Sequence, residues 1–269
     1  MRKPEPRADW PQSWKDSWPY DAEEVFGPIN CRGYAYAYAN RRKQTLDLIQ
    51  RVIPPGARVL DVAAAQGNFS LALAEMGYRV TWNDLRAELE DYVRLKWEQG
   101  SIEYAAGNVF DLNLGPEFDV VLIAEIIEHV AHPDEFLSRI GKLVKPGGHI
   151  VMTTPNGGYF LNRLPKFSDC RDPCQFEAFQ FKPNSDGHIF LLHEDEIPVL
   201  AARAGLEVRK ISLATNFLTN GHLKTEEILR RSPRAWIDAI ERMSSEFPGP
   251  IRRRLHTAMA VLLQRPREC

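Results

Sequence analysis

From Arg58 onward, short apolar runs alternate with amphipathic stretches of helical period, and that rhythm predicts the elements. Arg58–Val62 reads as a strand, followed by a helix over Phe69–Met76 that Gly77 closes. Tyr78–Trp82 predicts a second strand and Leu85–Glu98 a second helix, ending before Gly100. Ile102–Ala106 follows as strand three. Phe118–Ala124 (Phe-Asp-Val-Val-Leu-Ile-Ala) is apolar almost throughout, as expected of a parallel strand covered on both faces. A helix over Asp134–Leu143 stops at Lys145-Pro-Gly-Gly148, and His149–Thr154 predicts strand five. The alternation argues for an α/β fold, a doubly wound and mostly parallel sheet.

Beyond Pro155 the rhythm loosens, and residues 156–187 carry many Pro, Asn, Asp and aromatic side chains. They are expected to form an irregular insertion or substrate cap. Regularity returns with a helix over Glu194–Ala204, a strand over Leu206–Leu213, a helix over Thr225–Ser244 and a last strand over Thr257–Leu263. Before the sheet, Trp10, Trp14 and Trp18 recur every four residues and predict one side of a helix whose length Pro11 and Pro19 limit. Tyr34, Tyr36 and Tyr38 introduce a predicted helix through Ile53. The expected organisation is an N-terminal helical lid (1–57), an α/β core (58–155), the insertion (156–187) and the rest of the core (188–269).

Composition narrows the function. With 269 residues and 44% hydrophobic content, the chain can bury one large core. A formal net charge of −2 gives no general pull toward phosphate, so nucleic acid is not an expected partner. The basic runs Arg41-Arg42-Lys43 and Arg252-Arg253-Arg254 read as solvated helix faces. Of four cysteines only Cys170 and Cys174 are close together, and no second pair completes a zinc site, so no metal is expected. No apolar signal region or run of eighteen apolar residues is present, and a reduced, cytoplasmic protein without membrane insertion is expected.

In open α/β sheets, ligands bind beyond the carboxyl ends of the strands. Strand one ends at Asp61, before a turn of small residues, Ala63-Ala64-Ala65-Gln66-Gly67-Asn68, that lets backbone approach a ligand closely. Strand two ends at Asn83-Asp84, strand three leads to Gly107-Asn108-Val109-Phe110, and strand four to Ala124-Glu125-Ile126-Ile127-Glu128-His129. A carboxylate at the second end can accept hydrogen bonds from two ribose hydroxyls.

These four strand ends resemble the cofactor site of class I S-adenosylmethionine (SAM) methyltransferases, whose first motif reads hydrophobic-Asp-x-Gly-x-Gly-x-Gly. Glu-Ile-Ile-Glu-His-Val (125–130), Leu-Val-Lys-Pro-Gly-Gly (143–148) and Thr-Pro-Asn (154–156) resemble most closely the small-molecule members of the ubiquinone- and menaquinone-biosynthesis type. The resemblance implies a seven-stranded Rossmann-like methyltransferase fold whose last strand is antiparallel. It implies SAM as cofactor, S-adenosylhomocysteine (SAH) as product, and a small-molecule acceptor methylated on O, N or C. By it, Asp61, Ala63, Gln66, Gly67 and Asn68 hold the methionine part, and Asp84 with Leu85 the ribose. Asn108 and Val109 flank the adenine, and Ala124 and Glu125 complete the cofactor site. His129 is the leading candidate base; His188 is a second, and His193 a weaker third.

Two departures stand out. Asn108 occupies a place where the family usually has Asp, but keeps an oxygen acceptor. Ala63 and Ala65 replace two of the three motif glycines, and both are expected to adopt negative φ so that their methyls clear the ligand. Three other readings stay open. A nicotinamide oxidoreductase would want Gly-x-Gly-x-x-Gly after strand one. A base-modifying nucleic-acid methyltransferase would want Asn/Asp-Pro-Pro-Tyr/Phe after strand four. The third is a SAM-free protein of the same fold. The oligomeric state cannot be read.

Overall fold

A computed structural model describes residues 1–27, 33–180, 187–221, 223 and 225–267; Cys31 and Cys269 lie outside them. In chain order the elements are α1 (Gln12–Glu24), α2 (Tyr34–Val52), β1 (Arg58–Val62), α3 (Asn68–Glu75), β2 (Arg79–Trp82), α4 (Leu89–Lys96), β3 (Ser101–Tyr104) and β4 (Phe118–Ala124). There follow α5 (Pro133–Gly141), β5 (Val144–Pro155), α6 (Ile197–Arg203), β6 (Glu207–Asn216), α7 (Glu226–Arg231), α8 (Arg234–Ser245), α9 (Gly249–Leu255) and β7 (His256–Gln264). The seven strands form one sheet in the order β3-β2-β1-β4-β5-β7-β6, in which β7 alone runs antiparallel to its neighbours.

Strand alternation divides the apolar residues between two cores. Leu60, Val62, Val121, Ile123, Ile150, Met152, Val261 and Leu263 point to the side covered by α5 and α6. Val59, Val120, Leu122, Val151, Ala260 and Leu262 point to the side where α2 and α3 supply Leu48, Ile49 and Leu73. A third cluster joins the N-terminal segment to α4: Trp10 packs edge-on to Trp14, Trp18 and Tyr92. Trp10 therefore anchors the segment from just before the helix starts. Pro19 does not limit α1, which runs through it to Glu24. The aromatic cluster and a buried ion pair hold this turn in place of the backbone bond that proline cannot donate.

The helix expected over 225–244 is two helices. Pro233 lacks an N–H and forces Ser232 into an extended conformation (ψ 142°), so the chain breaks between α7 and α8. Residues 156–180 form turns and two short 3-10 helices, Phe167–Asp169 and Pro173–Phe179; residues 181–186 of the expected insertion lie outside the described residues. No helix of the described residues is long and apolar enough to cross a membrane.

Candidate functional site

Register places the strand ends side by side: Asp61 lies opposite Trp82 of β2 and Leu122 of β4, and Val62 opposite Ile123. Two cavities open over these ends. One, of about 270 Å³, is mainly apolar and is lined by Leu85, Val109, Phe110, Ile126 and Phe136, with Asn83, Asn108, Glu135 and Arg139 among its polar members. The other, of about 310 Å³, is polar and is lined by Tyr38, Arg41, Asp61, Gln66, Asn68 and Glu125, among others. Ala63 lines both.

The turn between β1 and α3 overturns one expectation. Ala63 and Ala65 do not take negative φ; their values are +50° and +48°, in the left-handed region that glycine prefers. The motif's backbone shape is kept with alanine in place of glycine, at a cost of about 1–2 kcal/mol per residue. The surroundings hold that shape. The Ala65 N–H donates to Asp84 Oδ2 (2.8 Å), Ala64 N–H to the Asn83 carbonyl (2.8 Å), and Trp82 Nε1 to the Ala65 carbonyl (3.0 Å). Gly67, also left-handed at +71°, starts α3, and a Cβ there would sit 2.7 Å from a Val93 methyl. Ala65→Gly should raise the denaturation midpoint at unchanged slope, by up to about 1 kcal/mol of stability. A lowered midpoint would contradict the observed turn geometry.

Asp61 is buried and accepts from Ser70 Oγ at 2.6 Å. Burial pushes its pKa up to about 7; the Ser70 bond opposes the shift and the charge of Asp84 adds to it. Asp84 is buried too, and both its oxygens are engaged. Oδ2 accepts from the Ala65 N–H, and Oδ1 from the Arg86 N–H (2.9 Å) and Arg86 Nε (3.0 Å). Asn83 is spent on the backbone, donating to the carbonyls of Ala105 (2.6 Å) and Gly107 (2.9 Å). Asn108 likewise serves its own turn: Oδ1 accepts from the Phe110 N–H and Nδ2 donates to Asp111. Asn68 lines the polar cavity, but its amide bonds to Asp21 and Lys96.

The turn after β4 is also strained, with Glu125 at φ +56°. Its Oε2 accepts from Arg41 Nη1 at 3.2 Å, and Arg41 lies 5.3 Å from the Tyr38 ring. Arg41 was expected on a solvated face; instead it turns inward over the polar cavity, while Lys43 meets that expectation by pairing with Asp47. Sequence reasoning missed Arg41 because a basic run does not say which member faces the sheet. Only its position on the helix carrying Tyr34, Tyr36 and Tyr38 could have marked it. Tyr38 Oη, Arg41 Nε and Glu125 Oε1 are buried and have no hydrogen-bond partner among the described residues.

Gly67, Asp84, His129 and His188 line neither cavity, although Asn83 and Leu85 on either side of Asp84 line the apolar one. The two histidines are brought together, edge to face with ring centroids 4.9 Å apart. His129 Nδ1 donates to the Gly187 carbonyl (3.2 Å), and burial together with His129 holds the His188 pKa below the usual histidine value. His193 stands apart, its N–H on Glu196.

A family of methyltransferase domains matches residues 36–211. The ubiquinone biosynthesis O-methyltransferase of Xanthomonas campestris pv. campestris is 39% identical over 119 residues, which are 43% of this chain and 47% of that protein. The chain thus spans about half the length of the curated relatives it matches. Among solved structures, the phosphoethanolamine N-methyltransferase 2 of Haemonchus contortus in complex with S-adenosyl-L-methionine aligns with TM-score 0.55 and 19% identity, over 94% of this chain and 57% of that one. A SAM-dependent methyltransferase from Methanosarcina mazei aligns with TM-score 0.52 and 16% identity, over 82% of this chain and 98% of that one. At these identities the likeness is one of fold.

Proposed function

The chain belongs to the methyltransferase-domain family, and from that membership we propose that it moves a methyl group from SAM to a hydroxyl oxygen of a small molecule. The observation that carries the cofactor part is the pair of cavities meeting at Ala63, one apolar and one polar, over the strand ends. A flat base suits the space between Leu85, Val109, Phe110 and Ile126. A zwitterionic tail suits the other cavity, where a carboxylate and a guanidinium face each other and three buried polar atoms want partners. The ribose is assigned to Asp84, between the cavity-lining Asn83 and Leu85, with the half-buried Arg86 side chain giving way on its oxygens. Bound there, SAM supplies an electrophilic methyl whose in-line displacement needs positioning more than covalent help.

The oxygen acceptor is supported by the name of the Xanthomonas relatives and by the paired His129 and His188, the second within reach of the charge on Glu125, which lines the polar cavity. With Nδ1 of His129 donating to Gly187, its other ring nitrogen is left to receive a hydroxyl proton. Calorimetry with SAH tests the cofactor assignment, and mass spectrometry of SAM incubated with phenolic and aliphatic alcohols tests the acceptor. No heat with SAH at high protein concentration would end this reading.

Asp61 sets a pH dependence. Below about pH 7 its carboxyl is protonated and offers no charge to an ammonium group. SAH affinity should therefore fall as pH drops from 8 to 6, and Asp61→Asn should flatten that profile. Stability moves the other way. A carboxyl whose native pKa is raised gives stability that is full below its ordinary value of 3.8 and lost as pH rises through about 7. Melting curves between pH 4 and 8 check the sign; a wild-type protein that gains stability across that range through Asp61 would refute it.

A further inference from the structure

We propose that His132, Cys174 and Glu177 form a zinc site that fastens the insertion after β5 to the start of α5. One donor atom from each side chain lies within 4.8 Å of the other two, and His132 Nε2 already stands 2.8 Å from Glu177 Oε1. Donors around a tetrahedral zinc sit about 3.3 to 3.8 Å apart, given bonds of about 2.0–2.3 Å. A cation can therefore replace the proton between His132 and Glu177 with an opening of about half an ångström, while the thiol closes on it.

Local structure presents the three donors together. The 3-10 helix Pro173–Phe179 carries Cys174 and Glu177 three residues apart. Side chains at i and i+3 eclipse in a 3-10 helix, so thiol and carboxylate share one face. Seven residues are long for that helix type, and contacts on several sides hold it. Asp172 Oδ1 accepts from the Cys174 N–H (3.1 Å), and Phe176 packs edge-on to Phe190 with ring centroids 5.2 Å apart. Gln180 Oε1 accepts from the Ala131 N–H (2.9 Å), which brings the end of the helix beside His132. His132 is the N-cap of α5 but makes no capping bond with its side chain, leaving the imidazole to reach Glu177.

One thiolate, one imidazole and one carboxylate are a donor set for zinc rather than for Mg2+ or Ca2+, which prefer all-oxygen shells. Three protein donors leave the fourth tetrahedral position to water. Cysteine spacing could not announce the site, because Cys174 and Glu177 come from the insertion and His132 from the core, and only the fold joins them. His132 and Gln180 also line the apolar cavity. Zinc would thus hold the insertion at the edge of that cavity, a structural role that does not rest on the methyl-transfer reading.

The test is a titration of the reduced, chelator-treated full chain with Co2+ alone, read by absorption, with no cofactor or acceptor present. A thiolate on Co2+ gives an intense near-ultraviolet charge-transfer band, which should appear on titration and vanish when Zn2+ displaces the cobalt. Cys174→Ser should remove the band and Cys170→Ser should leave it. His132→Ala should raise the Co2+ concentration needed to fill the site by about tenfold or more. Cys174 is exposed and His132 only half-buried, so neither substitution opens the core, and melting curves establish that the variants fold. Zinc should also slow alkylation of Cys174 by iodoacetamide, followed by peptide mass, and should do so less in His132→Ala. Three results overturn the proposal: no thiolate band up to about 1 mM Co2+, a band that survives Cys174→Ser, or alkylation of Cys174 that Zn2+ leaves unchanged.

Discussion

Asp84→Ala is expected to weaken SAH binding by at least about 30-fold. Its two oxygens are a buried charge at the end of β2, and each hydrogen bond to a charged group is worth about 1.5–3 kcal/mol when its partner would otherwise be stranded. The same carboxylate holds the Ala65 N–H, so its loss also loosens a turn that alanine already strains. Asp84→Asn keeps one acceptor and should lose less. Arg86→Ala is the informative partner. It removes a guanidinium that competes for Asp84 oxygens, and should bind SAH at least as tightly as the parent. Calorimetry on the three variants decides. If Asp84→Ala binds SAH like the parent, the ribose does not lie there.

The order of strands and helices was legible because each strand is an apolar run with a turn signal on either side. The family resemblance then supplied what pattern alone cannot, the number of strands in the sheet and the reversed β7. Misreadings fell where long-range contacts outvote local rules. Pro19 lies inside α1 because tryptophans and a buried ion pair hold that turn from outside it. Pro233 broke a helix as local rules say, although amphipathic period alone ran through it. At the site, residue types were readable but their employment was not. Asn108 and Asn68 have the right chemistry, yet both spend their amides on neighbours. Arg41 was hidden inside a basic run, which does not say which of its members faces the sheet. The alanine turn shows the same limit: sequence names the substitution, and only the surrounding hydrogen bonds reveal that the glycine conformation persists.

Lys96→Ala should destabilise the fold by about 3–5 kcal/mol, because it leaves a buried carboxylate unpaired. Lys96 and Asp21 are both fully buried and lie 2.6 Å apart. Asp21 also accepts from Tyr92 Oη (2.9 Å) and Asn68 Nδ2 (2.7 Å), and Lys96 Nζ donates to Asn68 Oδ1 (2.9 Å). The network ties α1, α4 and the first residue of α3 into one unit, directly beside the polar cavity. For a chain of this size the cost corresponds to a fall in melting temperature of about 10 °C. Nothing local marks Lys96, since a lysine in the last turn of a helix reads as a partner for the helix dipole. Replacing both charges, as Asp21→Leu with Lys96→Met, should recover much of the loss, since a buried pair exchanged for apolar side chains is often near neutral. Asn68 would then lose its bonds to Asp21 and Lys96, so the double variant should regain melting temperature without regaining full SAH affinity. Recovery of both together would mean that this network supports the fold alone and has no part in shaping the cofactor turn.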